Sequence, residues 1–405
     1  MTTVGVLLRQ RALVLYLASR VPTLFAVQIQ TVSVGAQVYA LTHNPLDLGL
    51  VGLSQFLPFL ACVLPAGQLA DRYNRRLIIA ICLCLEFLCS LALVLFTVRG
   101  LHSAWPIFMV MIPFGMARAV MSPAAQAIVP NLVPREQFAS AVGLNSSLWQ
   151  FTTIMGPALG GYLYAGFGPA VAYGITAVLM LCGLLAALAM TSPPQERLTG
   201  SSTLRSVGEG LAFVWRRRPV LGAISLDLFA VLFGGAVALL PAYASDVLHV
   251  GPEGLGWLRA APGVGAAAMG AILTVRPIRS RAGFAMFGGV AIFGVATIVF
   301  GVSHSFALSV CALALLGAAD MVSVFVRHLL VQLETPDAMR GRVGAVSSMF
   351  IGASNELGEF ESGLTASWWG LAPAVVIGGA MTLVVVVVWV ALFPALRRLD
   401  RFAEH

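Results

Sequence analysis

Charge is scarce in this chain. Only 10% of its 405 residues are Asp, Glu, Lys or Arg, where soluble domains carry about 25%. With 59% hydrophobic residues and a mean hydropathy of +0.91, the composition excludes a soluble globule and reads as an integral membrane protein, with the lipid bilayer as its first partner. Lysine is absent, so all 24 basic residues are arginine. They lie singly or in threes between apolar runs, as in the inner loops of membrane proteins, so the formal charge of +7 implies no nucleic-acid partner. Cysteine is rare: Cys62, Cys82, Cys84, Cys89, Cys182 and Cys311 all fall inside apolar runs. That leaves neither a disulfide framework nor zinc spacing. The G-x-S-x-G elbow, the H-E-x-x-H helix and the G-x-x-x-x-G-K-[ST] phosphate loop are all missing. No enzyme activity, cofactor or metal site is expected, and an ion gradient, of protons in the first instance, is the expected energy source.

What the chain does have is apolar runs. Twelve of them approach the ~20 residues needed to cross a bilayer. They are expected near 12–41, 46–70, 77–98, 104–129, 138–165, 168–190, 219–245, 253–276, 282–301, 305–330, 342–366 and 371–396. The polar stretch 191–218 reads as a linker holding a short amphipathic helix around 204–215. It divides a six-helix half (1–190) from a second (219–405). No small-residue cleavage site follows the first run, which reads as a retained helix. With the N-terminus inside, nineteen arginines in the connections and at span ends fall on the cytoplasmic side and only Arg99 clearly on the other. That places both termini in the cytoplasm of a cell inner (plasma) membrane protein.

Between the second and third runs lies a polar knot, Gly67-Gln-Leu-Ala-Asp71-Arg72-Tyr-Asn74-Arg75-Arg76. A second observation is a repeat. Pro134-Arg-Glu-Gln-Phe after the fourth run has a counterpart in Pro336-Asp-Ala-Met-Arg after the tenth, and 336 − 134 = 202. On the knot and the repeat the chain resembles major facilitator superfamily transporters over its whole length. The resemblance implies an all-α membrane fold of 12 transmembrane helices in two parallel six-helix repeats, with substrate held near the midplane. It also implies that the knot (Gly67, Asp71, Arg72, Arg75, Arg76) latches the cytoplasmic gate, Asp71 lying at the positive N-terminal end of span eleven. Asn74 stands where the family has glycine, and its tolerance of left-handed backbone is the expected reason.

The fifth run carries Gly143, Thr152, Gly156-Pro157 and Gly160-Gly161, which resembles the helix-five signature of the superfamily's proton-coupled exporters. Segments Gln28-Ile-Gln30, Ala40-Leu-Thr42, 334–342 and 355–363 resemble the branch of enterobactin and macrolide exporters. The implied function is proton-coupled export of a siderophore, drug or similar amphipathic small molecule by alternating access, by a monomer. A lysophospholipid flippase or a metal-ion exporter of the same fold is the alternative.

Charges within the spans bear most on mechanism, because each costs about 3 kcal/mol or more at the bilayer centre unless it faces protein or water. The family's cavity-lining spans, the first, fourth, seventh and tenth, contain Arg20, Arg118, Asp227 and Asp320, and 320 − 118 = 202. Asp227 and Asp320 are the candidate proton carriers; Arg20 and Arg118 are modulators or anion-binding groups. Static ion pairs within one half are the competing reading, with Glu86 as the partner of Arg118. Gln28, Phe229, Phe325, Glu356 and Glu359 complete the candidate cavity set. His328 is either a pH-sensitive relay or a packed neutral ring.

Overall fold

The computed structural model describes the backbone of residues 10–129, 132–134, 137–190, 203–276, 278 and 281–398. At some helical positions, 67, 71 and 72 among them, the side chains lie outside the described residues. Among the described residues all regular structure is helical: α1 (Arg11–Thr42), α2 (Pro45–Arg72), α3 (Arg75–Val98), α4 (Trp105–Ile128), α5 (Phe138–Ala189), α6 (Thr203–Arg216), α7 (Arg218–Phe233), α8 (Gly251–Val275), α9 (Ala282–Val302), α10 (Phe306–Glu334), α11 (Asp337–Trp369), α12 (Leu371–Leu392) and the short α13 (Pro394–Arg397). Among the described residues ten helical stretches are long and apolar enough to cross a membrane, one of them (Arg218–Val247) running on from α7 through shorter turns. Internal prolines, such as Pro22, Pro113, Pro157 and Pro262, are compatible with such helices because neighbouring helices satisfy the freed backbone groups.

Four expected spans look different in the structure. Those expected at 138–165 and 168–190 form one element with no loop between them. Its 50-residue apolar stretch would measure about 75 Å as a single helix, more than twice the hydrocarbon thickness. Gly168 (φ 78°, ψ 172°) interrupts it, in a region of backbone space that only glycine occupies readily. Gly370, between α11 and α12, adopts φ 87°, ψ 166°. The expected span at 342–366 lies in α11, whose Asn355, Glu356, Glu359 and Glu361 keep it out of the ten apolar stretches. The expected span at 219–245 is broken. α7 stops at Gly234, and the chain continues through a 3-10 turn (Ala236–Leu239), a single turn (Leu240–Ala242) and a π turn (Tyr243–Val247).

The chain forms two compact units: residues 1–43 with 54–203, and residues 44–53 with 204–405. In the first, α1 lies along α5, and α3 packs on α4 and α5. Small residues allow these approaches: Gly183 of α5 faces the Ser19 carbonyl and Thr23, and Gly115 of α4 meets the Gln55 backbone. In the second unit, Ala223, Leu226, Met286, Val290 and Val326 join α7, α9 and α10 in one core, while α8 packs on α10. The helix expected around 204–215 is α6. It docks on α7 and α11 through Val214, which packs with Ile224 and Val346, and Arg342 Nη1 donates to Glu209 Oε2 at 2.6 Å.

Candidate functional site

Each unit encloses a group of charges, set there by apolar helices that each carry few charged residues. In the first unit α3 presents Glu86 from a run of Leu, Cys and Phe. Its side chain is 0% exposed, and neither carboxylate oxygen has a hydrogen-bond partner among the described residues. The charges it feels are Arg118 of α4 first, then Arg20 of α1; both arginines are half-buried. Ser90, one turn on from Glu86, donates to Gln30 Oε1 at 2.7 Å and also contacts the Glu86 carbonyl at 3.0 Å. Arg20 lines a narrow cleft with Tyr16, Ser19, Thr23, Leu83 and Met121.

In the second unit α7 presents Asp227 (5% exposed) to Arg327 of α10 (2% exposed). Arg327 Nη1 donates to Asp227 Oδ2 in a buried ion pair. Asp320 lies seven residues before Arg327 on α10 and hence on the same face. It feels both Asp227 and Arg327. His328, next to the pair, is partly exposed and feels Arg327 and Asp227. The unit therefore gathers two acids around one buried guanidinium. Arg327, read from the sequence only as a neighbour of His328, is the residue that holds them together. A second arginine escaped notice there. Arg259 of α8 has a buried Nε without a partner and faces Glu359 of α11. Arg259 was findable, since it is an arginine inside an apolar run. Glu359 also borders Gly52 at the start of α2, and a Cβ built there would lie 2.8 Å from Glu359 Oε2. Glu356, on the same face of α11, is half-buried.

The remaining predicted residues have mainly packing roles. Phe229 sits between Phe233 (6.5 Å, stacked) and Trp389 (5.2 Å), and Trp389 Nε1 donates to Ser225 at 3.0 Å. Phe325 packs against the same core. On α5, a Cβ at Gly156 would lie 2.5 Å from Gln28 Cβ, and one at Gly160 would lie 3.0 Å from the Ile29 Cα. Pro157 and Gly161 are buried beside them, whereas Gly143 is exposed with nothing near it. Thr152, standing where the signature has glycine, donates to the Trp149 carbonyl at 2.8 Å. The glycines thus set the α1–α5 distance. Gly160→Val is expected to lower stability by about 1–3 kcal/mol through overpacking, read as a lower melting temperature, while Gly143→Ala melts like the parent.

In the polar knot, Gly67 and the Asp71 and Arg72 side chains lie outside the described residues. Arg76 donates from Nε to the Ala187 carbonyl at 3.1 Å and from Nη2 to that of Leu188. A cation thereby meets the carbonyl-rich end of α5. Arg75 is half-buried. Asn74 corrects the sequence reading: its backbone is extended (φ −62°, ψ 114°), and its side chain accepts from Arg76 N at the start of α3. It is there as a helix cap, not for left-handed backbone.

A family model described as a transmembrane secretion effector matches residues 4–404. The enterobactin exporter EntS of Escherichia coli O1:K1 / APEC is 28% identical over 323 residues, covering 78% of this chain and 76% of that protein. EntS of Shigella boydii serotype 18 is 29% identical over the same shares. Among solved structures, a bacterial homologue of the human lysosomal transporter Spinster, inward-facing and unoccupied, is 18% identical with a TM-score of 0.74, covering 98% of this chain and 99% of its own. A POT family transporter in complex with 5-aminolevulinic acid is 12% identical with a TM-score of 0.76, covering 96% and 97%.

Proposed function

We propose that this chain, which belongs to the transmembrane secretion effector family of major facilitator transporters, is a proton-coupled exporter of an amphipathic small molecule, siderophore or drug. Transport rather than catalysis is the family's business. The observation that carries proton coupling is the grouping of Asp227 and Asp320 around Arg327. Two acids that share one buried cation compete for it, so a proton taken by one hands the guanidinium to the other. The relatives named as enterobactin exporters support export and make a siderophore the first cargo to test.

The proposed architecture is twelve spans in two parallel repeats, with halves at 1–190 and 219–405 joined by 191–218, in the inner membrane with both termini cytoplasmic. Splitting α5 at Gly168 and counting α11 brings the ten apolar stretches to 10 + 1 + 1 = 12. The like-shaped corners at Gly168 and Gly370 support the repeat, since 370 − 168 = 202, the offset that also relates Arg118 to Asp320.

The test is uptake into inside-out vesicles with an acidic lumen, with enterobactin, a macrolide and a lysophospholipid offered side by side. Enterobactin or the macrolide should accumulate, a protonophore should stop it, and Asp320→Asn should abolish gradient-driven uptake. Accumulation that survives the protonophore or the Asp320→Asn change would remove protons, or that carboxyl, from the mechanism. Movement of the lysophospholipid alone would identify a flippase instead.

A further inference from the structure

The acids of the second unit account for coupling but leave Glu86 without a task. A fully buried carboxyl with no hydrogen-bond partner on either oxygen is rare in folded proteins, where buried polar groups are nearly always paired. Nor is it isolated, because Arg118 of α4 and Arg20 of α1 are the charges it feels. The polar side chains that the hydrogen bonds place nearest to it, Ser90, one turn on, and Gln30, are engaged with one another. Ser90 Oγ donates to Gln30 Oε1, which leaves Gln30 Nε2 buried and without a partner. Among the described residues the first unit thus buries an unpartnered acceptor, the Glu86 carboxylate, and an unpartnered donor, Gln30 Nε2.

Other titratable groups around Glu86 are accounted for. On its own helix, Cys82 and Cys89 are buried and feel the Glu86 charge. On α1, Tyr16 donates to the Ala125 carbonyl at 3.1 Å. On the part of α5 packed against α3, Tyr173 donates to Gln37 at 2.8 Å, and Cys182 is exposed. The charge balance around Glu86 is therefore two guanidiniums and one carboxyl. Arg20 connects this group to a cleft whose other walls include Leu83 and Met121 beside Ser19 and Thr23. The cleft is water-sized as it stands, so a ligand with an apolar body and an anionic head would widen it on binding.

We propose that Arg20 and Arg118 form a receptor for an organic anion, and that Glu86 makes way for it by taking up one proton. Ionised Glu86 neutralises one of the two arginines. When an anionic head reaches Arg20, the Glu86 carboxylate accepts a proton from water, forming an O–H bond, and the anion takes over its role as counter-charge. On release the O–H bond breaks and the proton returns to water. Loaded and empty forms of the first unit then carry the same net charge, and the one proton that accompanies each anion is counted apart from those taken up by Asp227 and Asp320. The cargo of this site rests on the export reading; its proton count does not.

Two measurements on the full-length protein in lipid nanodiscs test this. Infrared difference spectra across a pH titration should show a protonated-carboxyl stretch in the parent that is missing from Glu86→Gln and returns, displaced, in Glu86→Asp. Identical spectra from parent and Glu86→Gln would overturn the proposal. Salicylate, an anion with an apolar ring, is the probe ligand. Its affinity should fall about tenfold per pH unit above the Glu86 titration, the signature of one linked proton. In Glu86→Gln that slope should vanish, and in Arg20→Gln with Arg118→Gln binding itself should be lost. Failure of salicylate to bind the parent, or an unchanged slope in Glu86→Gln, would overturn the receptor. Neither result depends on whether enterobactin is pumped, so failure of the export reading would register separately, in the vesicle assay.

Discussion

Arg327→Gln is expected to be among the most damaging single substitutions in the chain. The change removes the hydrogen-bond donor that Asp227 has among the described residues and strands a carboxylate that is 5% exposed. Breaking a buried pair by taking away one partner costs about 3–5 kcal/mol, because the remaining charge keeps its desolvation penalty and loses its compensation. The purified single mutant should therefore melt well below the parent in detergent. Pairing it with Asp227→Asn should recover most of the loss, because two amides can bond each other without charge. A single mutant that melts like the parent, or a double mutant no better than the single, would show that the pair is not what holds α7 to α10. Transport separates the roles: the double mutant folds but lacks one acid of the coupling group, so gradient-driven uptake should stay lost while stability returns.

The second large effect is expected where α8 crosses α10. Gly265 lies over the Ala314 carbonyl and Gly317 over the Pro262 carbonyl, so a Cβ built on either would overlap backbone. Two helices in this arrangement touch main chain to main chain, as small-residue crossings in membranes do. Overpacking elsewhere is relieved by side chains changing rotamer, but a carbonyl in a helix has no such freedom. Gly317→Val should therefore cost about 3 kcal/mol, the upper end of the overpacking range, and appear as poor yield and aggregation on size exclusion. Gly288→Ala is the control. Nothing lies within 4 Å of a Cβ there, and alanine favours helix by up to about 1 kcal/mol. If Gly317→Val ran as a sharp peak with the parent's melting temperature, α8 and α10 would be further apart than described.

The sequence carried the helices well because the bilayer restricts what an apolar run of ~20 residues can be. It carried the arginine and aspartate positions too, because each interrupts such a run. Their partnerships were hidden. Asp227 and Arg327 are 100 residues apart, and only the packing of α7 on α10 brings them together. Glu86 was foreseen as a partner for Arg118, but that no hydrogen bond from a described residue reaches its carboxylate is a matter of packing that no spacing in the sequence reveals. Asn74 was misread for a different reason. Replacing glycine suggests a backbone role, whereas asparagine has a second use as a cap, and dihedral angles are needed to distinguish the two. Aromatic residues were the least legible: Phe229 on α7 and Phe325 on α10 read as cavity residues, and the structure stacks Phe229 with Phe233 and Trp389.

The glycine corners at 168 and 370 bear on how this protein can be engineered. Each joins two long helices through a single residue, leaving no free peptide for an epitope, a protease site or a fluorescent reporter to occupy. Insertion at either corner must unwind a helix end. The six residues from Arg99 to Ala104, between α3 and α4, have slack that the corners lack. A topology map built from inserted tags should start there, with 168 and 370 left intact.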